Sequence, residues 1–381
     1  MAESTHQSSY WEDQSFLQSD VLIIGAGIVG LSTAAELLER KPDLRVTIVE
    51  RGLLPSGAST RNAGFACFGS LSEILADIDA FGEDIALATL QARVTGLKRL
   101  QQRVPETAMD YQQHGGYELL SAAQMPLLAQ LDRINQLLMP IFQAPVFRRV
   151  EAKINEFGFA DNRVNALLFN PFEAQLHSGM LMRWLLKHVQ SLGALVLTGA
   201  EVQRFRAEQD GVHVELSSQD RNWTLRSEQL ALCTNAFARA LLPELSVTPG
   251  RGQVLITEPI ADLRWQGTFH AEEGYYYFRN IDQRILLGGA RHQDFAGETT
   301  TEFGDNPIVS QALDTFLHQV ISPNKQLRIA QRWSGIMAFG ETKKPIVKRH
   351  DERTVIGVRM GGMGVAIGSS VAVQLADLLL A

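Results

Sequence analysis

Asp20 opens a short, wholly apolar run, "VLII" (21–24), that ends in glycines, as a central strand covered on both faces does. "LSTAAELLER" (31–40) then keeps a helical period, and "KPD" stops it. "RVTIVE" (45–50) returns to a strand, which predicts a strand–helix–strand unit with its ligand at the strand ends. From about 71 to 140, Leu and Ala recur at threes and fours and predict helices. "GMLMRWLLKHVQSLG" (179–193) predicts a helix closed by Gly193, and "ALVLTGAEV" a strand after it. "VQRFRAE", "VHVELSS" and "NWTLRSE" alternate, parted by "QDG" and "SQD", and predict a meander. "LALCTNAF" (230–237) predicts a buried strand. "RGQVLITEPI" and the pair "YYYFR" and "RILLGGAR", joined by a turn at "NIDQ", extend a β-rich region to about 292. A helix around "IVSQALDTFLHQV", the strand "TVIGVRM", the glycine-rich "GGMG" and a last helix close the chain.

The first strand–helix junction carries G-x-G-x-x-G as Gly25, Gly27 and Gly30. The first glycine allows the tight turn, the second a close approach to a pyrophosphate, and the third close packing of helix on strand. The helix start offers unpaired N–H groups to phosphate, and Glu50 ends the next strand in position to accept from an adenosine ribose. NAD and FAD share this ADP half, so both stay open at this point. The following "GASTRNAGFACFGS" (57–70) favours FAD: it resembles the segment that passes close to the flavin end in FAD proteins of the glutathione-reductase-like class, and its small residues would let the main chain lie against a flat ring system. "GVRMGGMGVAIG" (357–368) is a third such site, and a helix starting near Val365 would aim its positive end at the flavin pyrimidine carbonyl.

Composition adds exclusions. The chain has 381 residues, 45% hydrophobic and 20% charged, enough for two domains with real cores. A net charge of −7 argues against nucleic-acid binding, which needs clustered cations. Two cysteines, Cys67 and Cys233, stand far from each other and from ligand-spaced histidines, so no metal site is expected. Cys67 reads as a buried filler and His177 as structural; Trp333 reads either as a cover for the flavin or as core. Sparse cysteine, a polar first stretch and a C-terminal apolar run broken by Gln374 and Asp377 predict a cytoplasmic protein without a membrane span.

"DVLIIGAGIVGLSTAAEL", "VTIVERG", "GASTRNAG", "GYYYFR", "RILLGGAR" and "GMGVAIG" together resemble the FAD-dependent amino-acid oxidoreductases, whose members include glycine and sarcosine oxidases, D-amino-acid dehydrogenases and L-amino-acid deaminases. The resemblance implies an α/β fold: a Rossmann-like FAD-binding domain of the glutathione-reductase type, and a second α+β substrate domain with a large antiparallel sheet. Residues 20–105, 145–245 and 325–381 would form the first, 106–144 and 246–324 the second, and 1–19 an N-terminal extension. FAD would be held by Gly25, Gly27, Ile28, Gly30, Glu50 and Arg51, and then by Ala58, Ser59, Thr60, Arg61, Asn62, Ala63 and Gly64. Val202, Thr234, Asn235, Gly335, Gly362, Met363, Gly364 and Val365 would complete its site.

The sequence departs from its relatives at the substrate. No cysteine lies in "RWSGIMAF" (332–339), where sarcosine oxidases tether the flavin, so non-covalent FAD is expected. Met337 stands where glycine and D-amino-acid oxidases place a carboxylate-binding arginine, and Ala366 aligns with the sarcosine-oxidase lysine. Another cation must hold a substrate carboxylate. Arg61 leads, then Arg279, which an extended strand puts on one face with Tyr275 and Tyr277; Arg291 and Arg359 rank behind.

The implied reaction passes the Cα hydride of an amino acid to flavin N5, and the imine hydrolyses to a 2-oxo acid and ammonia. No acid–base pair is assigned. The substrate is an amine or amino acid and the acceptor oxygen or a quinone. An N-methyl amino acid, a polyamine or a 2-hydroxy acid is the alternative on the same fold, and a non-catalytic flavin redox sensor is the alternative of another class.

Overall fold

The computed structural model describes residues 8–218 and 221–381. Among these, two eight-stranded sheets carry the fold. At the centre of the first, Leu22 and Ile23 have no exposed surface. Their strand, Gln18–Ile24, lies between Val46–Glu50 and Arg221–Leu232 in parallel register, and Leu195–Thr198 and Thr354–Val358 extend the parallel set. The meander forms as expected, with Glu201–Glu208 and Gly211–Ser218 running antiparallel onto Arg221–Leu232; part of its last turn, 219–220, lies outside the described residues.

Helices Ile28–Arg40, Glu83–Arg103 and Gly364–Leu380 share one apolar core, with Leu31, Ala35, Leu97, Leu100, Val371 and Leu375 buried together. A Cβ on Gly96 would stand 2.0 Å from the Ala366 carbonyl oxygen, so this glycine lets two of the helices touch.

The second sheet runs in the order Ile329–Phe339, Thr248–Thr257, Arg284–Gly289, Tyr276–Ile281, Thr268–Ala271, Gly116–Leu120, Ala166–Asn170, Arg148–Arg149. Its pairs are antiparallel except for Thr268–Ala271 with Gly116–Leu120. Alternation divides its faces: Phe269, Tyr276, Phe278 and Leu287 pack outward under helix Pro307–Phe316, while Tyr277 and Arg279 point back toward the first sheet. The hairpin turns at Asp282 and Gln283, both at positive φ (48° and 57°), as a two-residue turn of the I′ kind requires.

Three expectations change. "GYELL" (116–120), inside the stretch read as helical, is a strand, because its apolar run between Gly115 and Leu120 is taken up beside Thr268–Ala271. "LALCTNAF" leaves the sheet after Leu232: Asn235 takes a left-handed φ of 49°, and its side chain accepts the N–H groups of Arg359 and Met360. Strands Ala166–Asn170 and Ile329–Phe339, assigned by the boundaries at 145 and 325 to the first domain, are hydrogen-bonded into the second sheet. No described helix is long and apolar enough to cross a membrane.

Candidate active site

A cavity of about 680 Å³ runs from the ends of the parallel strands to the inner face of the second sheet. Its first end is shaped by backbone. Gly25 sits at φ 105°, and a Cβ there would stand 2.9 Å from the Cys233 carbonyl oxygen. A Cβ on Gly30 would come within 2.0 Å of the Gly25 carbonyl oxygen, so this glycine serves helix packing and, unlike the expectation that it holds FAD, does not line the cavity. Gly27, Ile28, Glu50, Arg51 and Val202 do line it. Glu50 accepts the N–H groups of Ala26 (3.1 Å) and Gly52 (3.0 Å), which fixes the carboxylate at the end of its strand. Arg51 lies 3.7 Å over the Phe237 ring.

The segment after Gly57 is stitched to this end. Ser59 Oγ accepts the Ile28 N–H at 3.0 Å, at the start of a helix that carries no cap of its own. Asn62 bonds the Ser59 carbonyl (2.7 Å) and accepts from Gly64 N–H (2.8 Å) and the Ser178 hydroxyl (2.7 Å), which holds Ala58 and Ala63 against the cavity. Thr60 and Gly64 face away. The Thr60 hydroxyl bonds the Pro55 carbonyl, and a Cβ on Gly64 would meet the Leu176 carbonyl oxygen at 2.1 Å. Thr234, Asn235, Gly335, Gly362, Met363, Gly364 and Val365 complete the middle of the wall, and Met337 lines it beside Tyr277.

A dinucleotide fits what this wall leaves unfilled. Two helices, Ile28–Arg40 and Gly364–Leu380, begin on the cavity with no side-chain cap from their own N-cap residues. The Thr234 hydroxyl, buried on the lining, has no protein partner among the described residues.

The end against the second sheet is built by side chains, and here the arginines sort themselves. Arg279, 4% exposed, lies outside the cavity and donates to the carbonyls of Ala63 (2.6 Å) and Leu176 (3.0 Å). Burial pulls its guanidinium down to about 10. It therefore pins two loops to the sheet, and its donors are not presented to a substrate. Arg61 lines the cavity but gives Nε to the Ser56 carbonyl (3.2 Å) and another N–H to that of Ser334 (3.0 Å), with Phe303 beneath it at 4.3 Å. Trp333 does not line the cavity; it donates to the Arg61 carbonyl at 2.9 Å. Arg359, also off the lining, is spent on the carbonyls of Lys344 and Ser246.

Arg291 differs from these three. Its guanidinium stands over Phe339 (4.3 Å) and Phe295 (4.7 Å), lines the cavity, and makes no hydrogen bond or ion pair with the protein among the described residues. Burial lowers it from the ordinary arginine value. The residue follows Gly289 (φ 116°) and Ala290 (φ 57°), whose left-handed turn ends the hairpin strand and swings the side chain inward. Tyr277 lines the same end, edge-on to Phe65 at 5.6 Å, its phenol pushed up to about 12 by burial. Tyr275 lines it too, but it precedes the strand and is 38% exposed, so the three-residue face expected of "YYYFR" holds for Tyr277 and Arg279 alone.

Helix Leu71–Phe81 contributes a face that sequence reading passed over: Glu73, Ala76, Asp77, Ala80 and Phe81, at helical spacing, all line the cavity. Glu73 bonds Arg93 (3.0 Å) and Lys343 (3.2 Å), and Lys343 also holds Asp77 (2.6 Å). Desolvation works against the Glu73 carboxylate, but the two cations outweigh it and hold it at about 2. His270, paired with Glu173, lines the wall beside them. Cys67 is buried on the lining with its thiol pushed well above the ordinary value by burial, and Cys233 is raised to about 12 in the same way. His177 caps helix Ser178–Ser191 by accepting the Met180 N–H.

The chain is similar to several known proteins. The bifunctional protein ThiO/ThiG of Trichormus variabilis is 24% identical over 341 residues, which is 86% of this chain and 47% of that protein. The chain spans less than half the length of the curated relatives it matches first. Glycine oxidase from Geobacillus kaustophilus superposes with a TM-score of 0.75 at 21% identity, covering 95% of both chains. L-amino acid deaminase from Proteus vulgaris does so with a TM-score of 0.74 at 16% identity, covering 100% of this chain and 96% of that one. These likenesses establish the fold. The FAD dependent oxidoreductase profile matches residues 20–378, nearly the whole described structure, and the chain belongs to that family.

Proposed function

We propose that the protein oxidises the amino group of an α-amino acid, with FAD held non-covalently and the substrate carboxylate bound by Arg291. The observation that carries this reading is the Arg291 guanidinium: aimed into the cavity, backed by two aromatic rings and without a protein acceptor among the described residues. A bare guanidinium in a partly dry wall is a bidentate carboxylate binder waiting for its partner. Arg61, on the lining, and Arg279, behind it, are the stronger expectations from sequence, and both spend their donors on backbone carbonyls.

FAD, when bound, accepts the two electrons and the Cα hydrogen of the substrate. Gly25, Gly27, Ile28 and Glu50 would hold its ADP half, and Ala58, Ala63, Thr234, Gly335, Gly362 and Gly364 the remainder. The uncapped start of helix Gly364–Leu380 favours negative charge at its tip. Tyr277, Phe65 and Met337 wall the substrate end and exclude water, while Arg291 fixes the carboxylate and so the direction of the Cα–H bond. A carboxylate-free amine would gain nothing from Arg291, which separates this reading from a polyamine oxidase.

The test is anaerobic flavin reduction by a panel of amino acids, amines and 2-hydroxy acids, repeated with oxygen and with a quinone to identify the acceptor. Reduction by amino acids is expected. Denaturation should release the flavin into solution, which a covalent link would prevent.

A further inference from the structure

The substrate end holds a second polar pair that the reading above leaves unused. In strand Thr268–Ala271, Phe269 and Ala271 belong to the outer core, so Thr268 and His270 face inward. His270 lines the cavity with Phe65, Cys67 and Glu73, its ring edge-on to Phe65 at 5.4 Å. Its Nε2 lies 2.8 Å from Glu173 Oε2, which also accepts the Thr268 hydroxyl at 2.8 Å. Glu173 is 1% exposed and His270 6%. Gly116 makes room for the carboxylate, since a Cβ there would lie 2.1 Å from Glu173 Oε2. An ionised carboxylate only accepts, so Nε2 donates and the lone pair of the neutral ring sits on Nδ1. Among the described residues Nδ1 has no hydrogen-bond partner.

We propose that His270, oriented by Glu173, is the base that takes the ammonium proton of the bound amino acid. This rests on the amino-acid reading of the site. A free amino acid near neutral pH carries an ammonium nitrogen with no lone pair, and loss of hydride from Cα needs that pair to form the C=N bond. The proton moves from nitrogen to Nδ1, leaving a neutral amine and an imidazolium whose charge Glu173 offsets. With that pair free, the nitrogen would close the C=N bond as the Cα hydrogen departs with its two electrons, which bound FAD would accept.

Seven charged or titratable groups surround the ring, one of them Tyr277, its cross-strand partner on Tyr276–Ile281. Glu173 holds it, Glu118 stands opposite on strand Gly116–Leu120, Glu73 reaches from helix Leu71–Phe81, and Cys67 adjoins on the lining, with Arg93 and Lys343 on the far side of Glu73. Burial is the strongest influence and pulls the imidazolium down, but Glu173, Glu73 and Glu118 together hold it above the ordinary 6.5.

The experiment is anaerobic reduction of the FAD-loaded protein by its amino acid as a function of pH. Wild type should show an acid limb above pH 6.5. His270→Gln should slow reduction at pH 7 by about a hundredfold. Its rate should then climb about tenfold per pH unit, approaching wild type where the free amine predominates. Glu173→Gln should move the wild-type limb downward. An NMR titration of the His270 ring protons should give the same value as the limb, and a mismatch overturns the proposal. So does a His270→Gln defect of equal size at every pH, or no defect. If His270→Gln loses FAD, Glu173→Gln decides, and an unmoved limb overturns the assignment. Wild-type flavin that no amine reduces removes the amino-acid reading and His270 with it; reduction with a pH-independent His270→Gln defect removes His270 alone.

Discussion

The two ends of the cavity are built by opposite means. The nucleotide end is main chain: Gly25 and Gly27, a helix start, and a carboxylate fixed by two N–H groups, all within residues 25–52. The proposed substrate end is side chain: Arg291, Tyr277, Met337, His270, Glu73 and Lys343, brought together from separate strands, a helix and a loop. A backbone cradle is local, so its spacing survives in sequence as a motif. A side-chain cage depends on strand order and on which neighbour consumes each donor, and no local pattern reports that.

The strongest way to break the contrast is at the cradle. Gly30→Ala places a methyl where a Cβ stands 2.0 Å from the Gly25 carbonyl oxygen, and flavin per chain in the purified protein should collapse. Next, Arg279→Met leaves the buried carbonyls of Ala63 and Leu176 without their donor, at a cost of about 3–4 kcal/mol in denaturant unfolding. KM in the folded protein should hardly move. Arg291→Met should do the reverse, losing about 3 kcal/mol of transition-state binding, roughly a hundredfold in kcat/KM for amino acids, at unchanged stability. If the two phenotypes are exchanged, the sorting of the arginines is wrong.

Acid should then reach the substrate end through Glu73. Its folded value of about 2 lies below the ordinary 4.5, so its contribution is complete above pH 4.5 and is lost as pH falls from there toward 2. Unfolding midpoints across that window should fall, and in Glu73→Gln the fall should be shallower. The smallest effect belongs to Ser59→Ala, which removes the acceptor of the Ile28 N–H and should cost about 1 kcal/mol and weaken flavin retention modestly.

Much of this architecture is legible in the sequence. Gly25, Gly27 and Glu50 occupy their expected places because the fingerprint encodes a turn and a strand end, and the hairpin Tyr276–Ile281 with Arg284–Gly289 follows from alternation. The strand Gly116–Leu120 was masked by flanking helices of similar apolar spacing. Arg279 looked available because one strand face carries it with Tyr277, but that face packs on Ala63 and Leu176. Arg291 ranks low in sequence because nothing local shows that Phe295 and Phe339 meet under it and that no acid pairs with it among the described residues. A signal for helix Leu71–Phe81 did exist: Glu73, Ala76, Asp77 and Ala80 give it a face of acids and small residues that core packing does not explain.

The most direct measurement is anaerobic flavin reduction by amino acids and by carboxylate-free amines, in wild type and in Arg291→Met. Amino acids should bleach the wild-type flavin and do so roughly a hundredfold more slowly in the variant, with the amines slow in both. Amines that reduce the flavin as fast as amino acids, with no dependence on Arg291, would contradict the assignment, as would a flavin that no amino acid reduces.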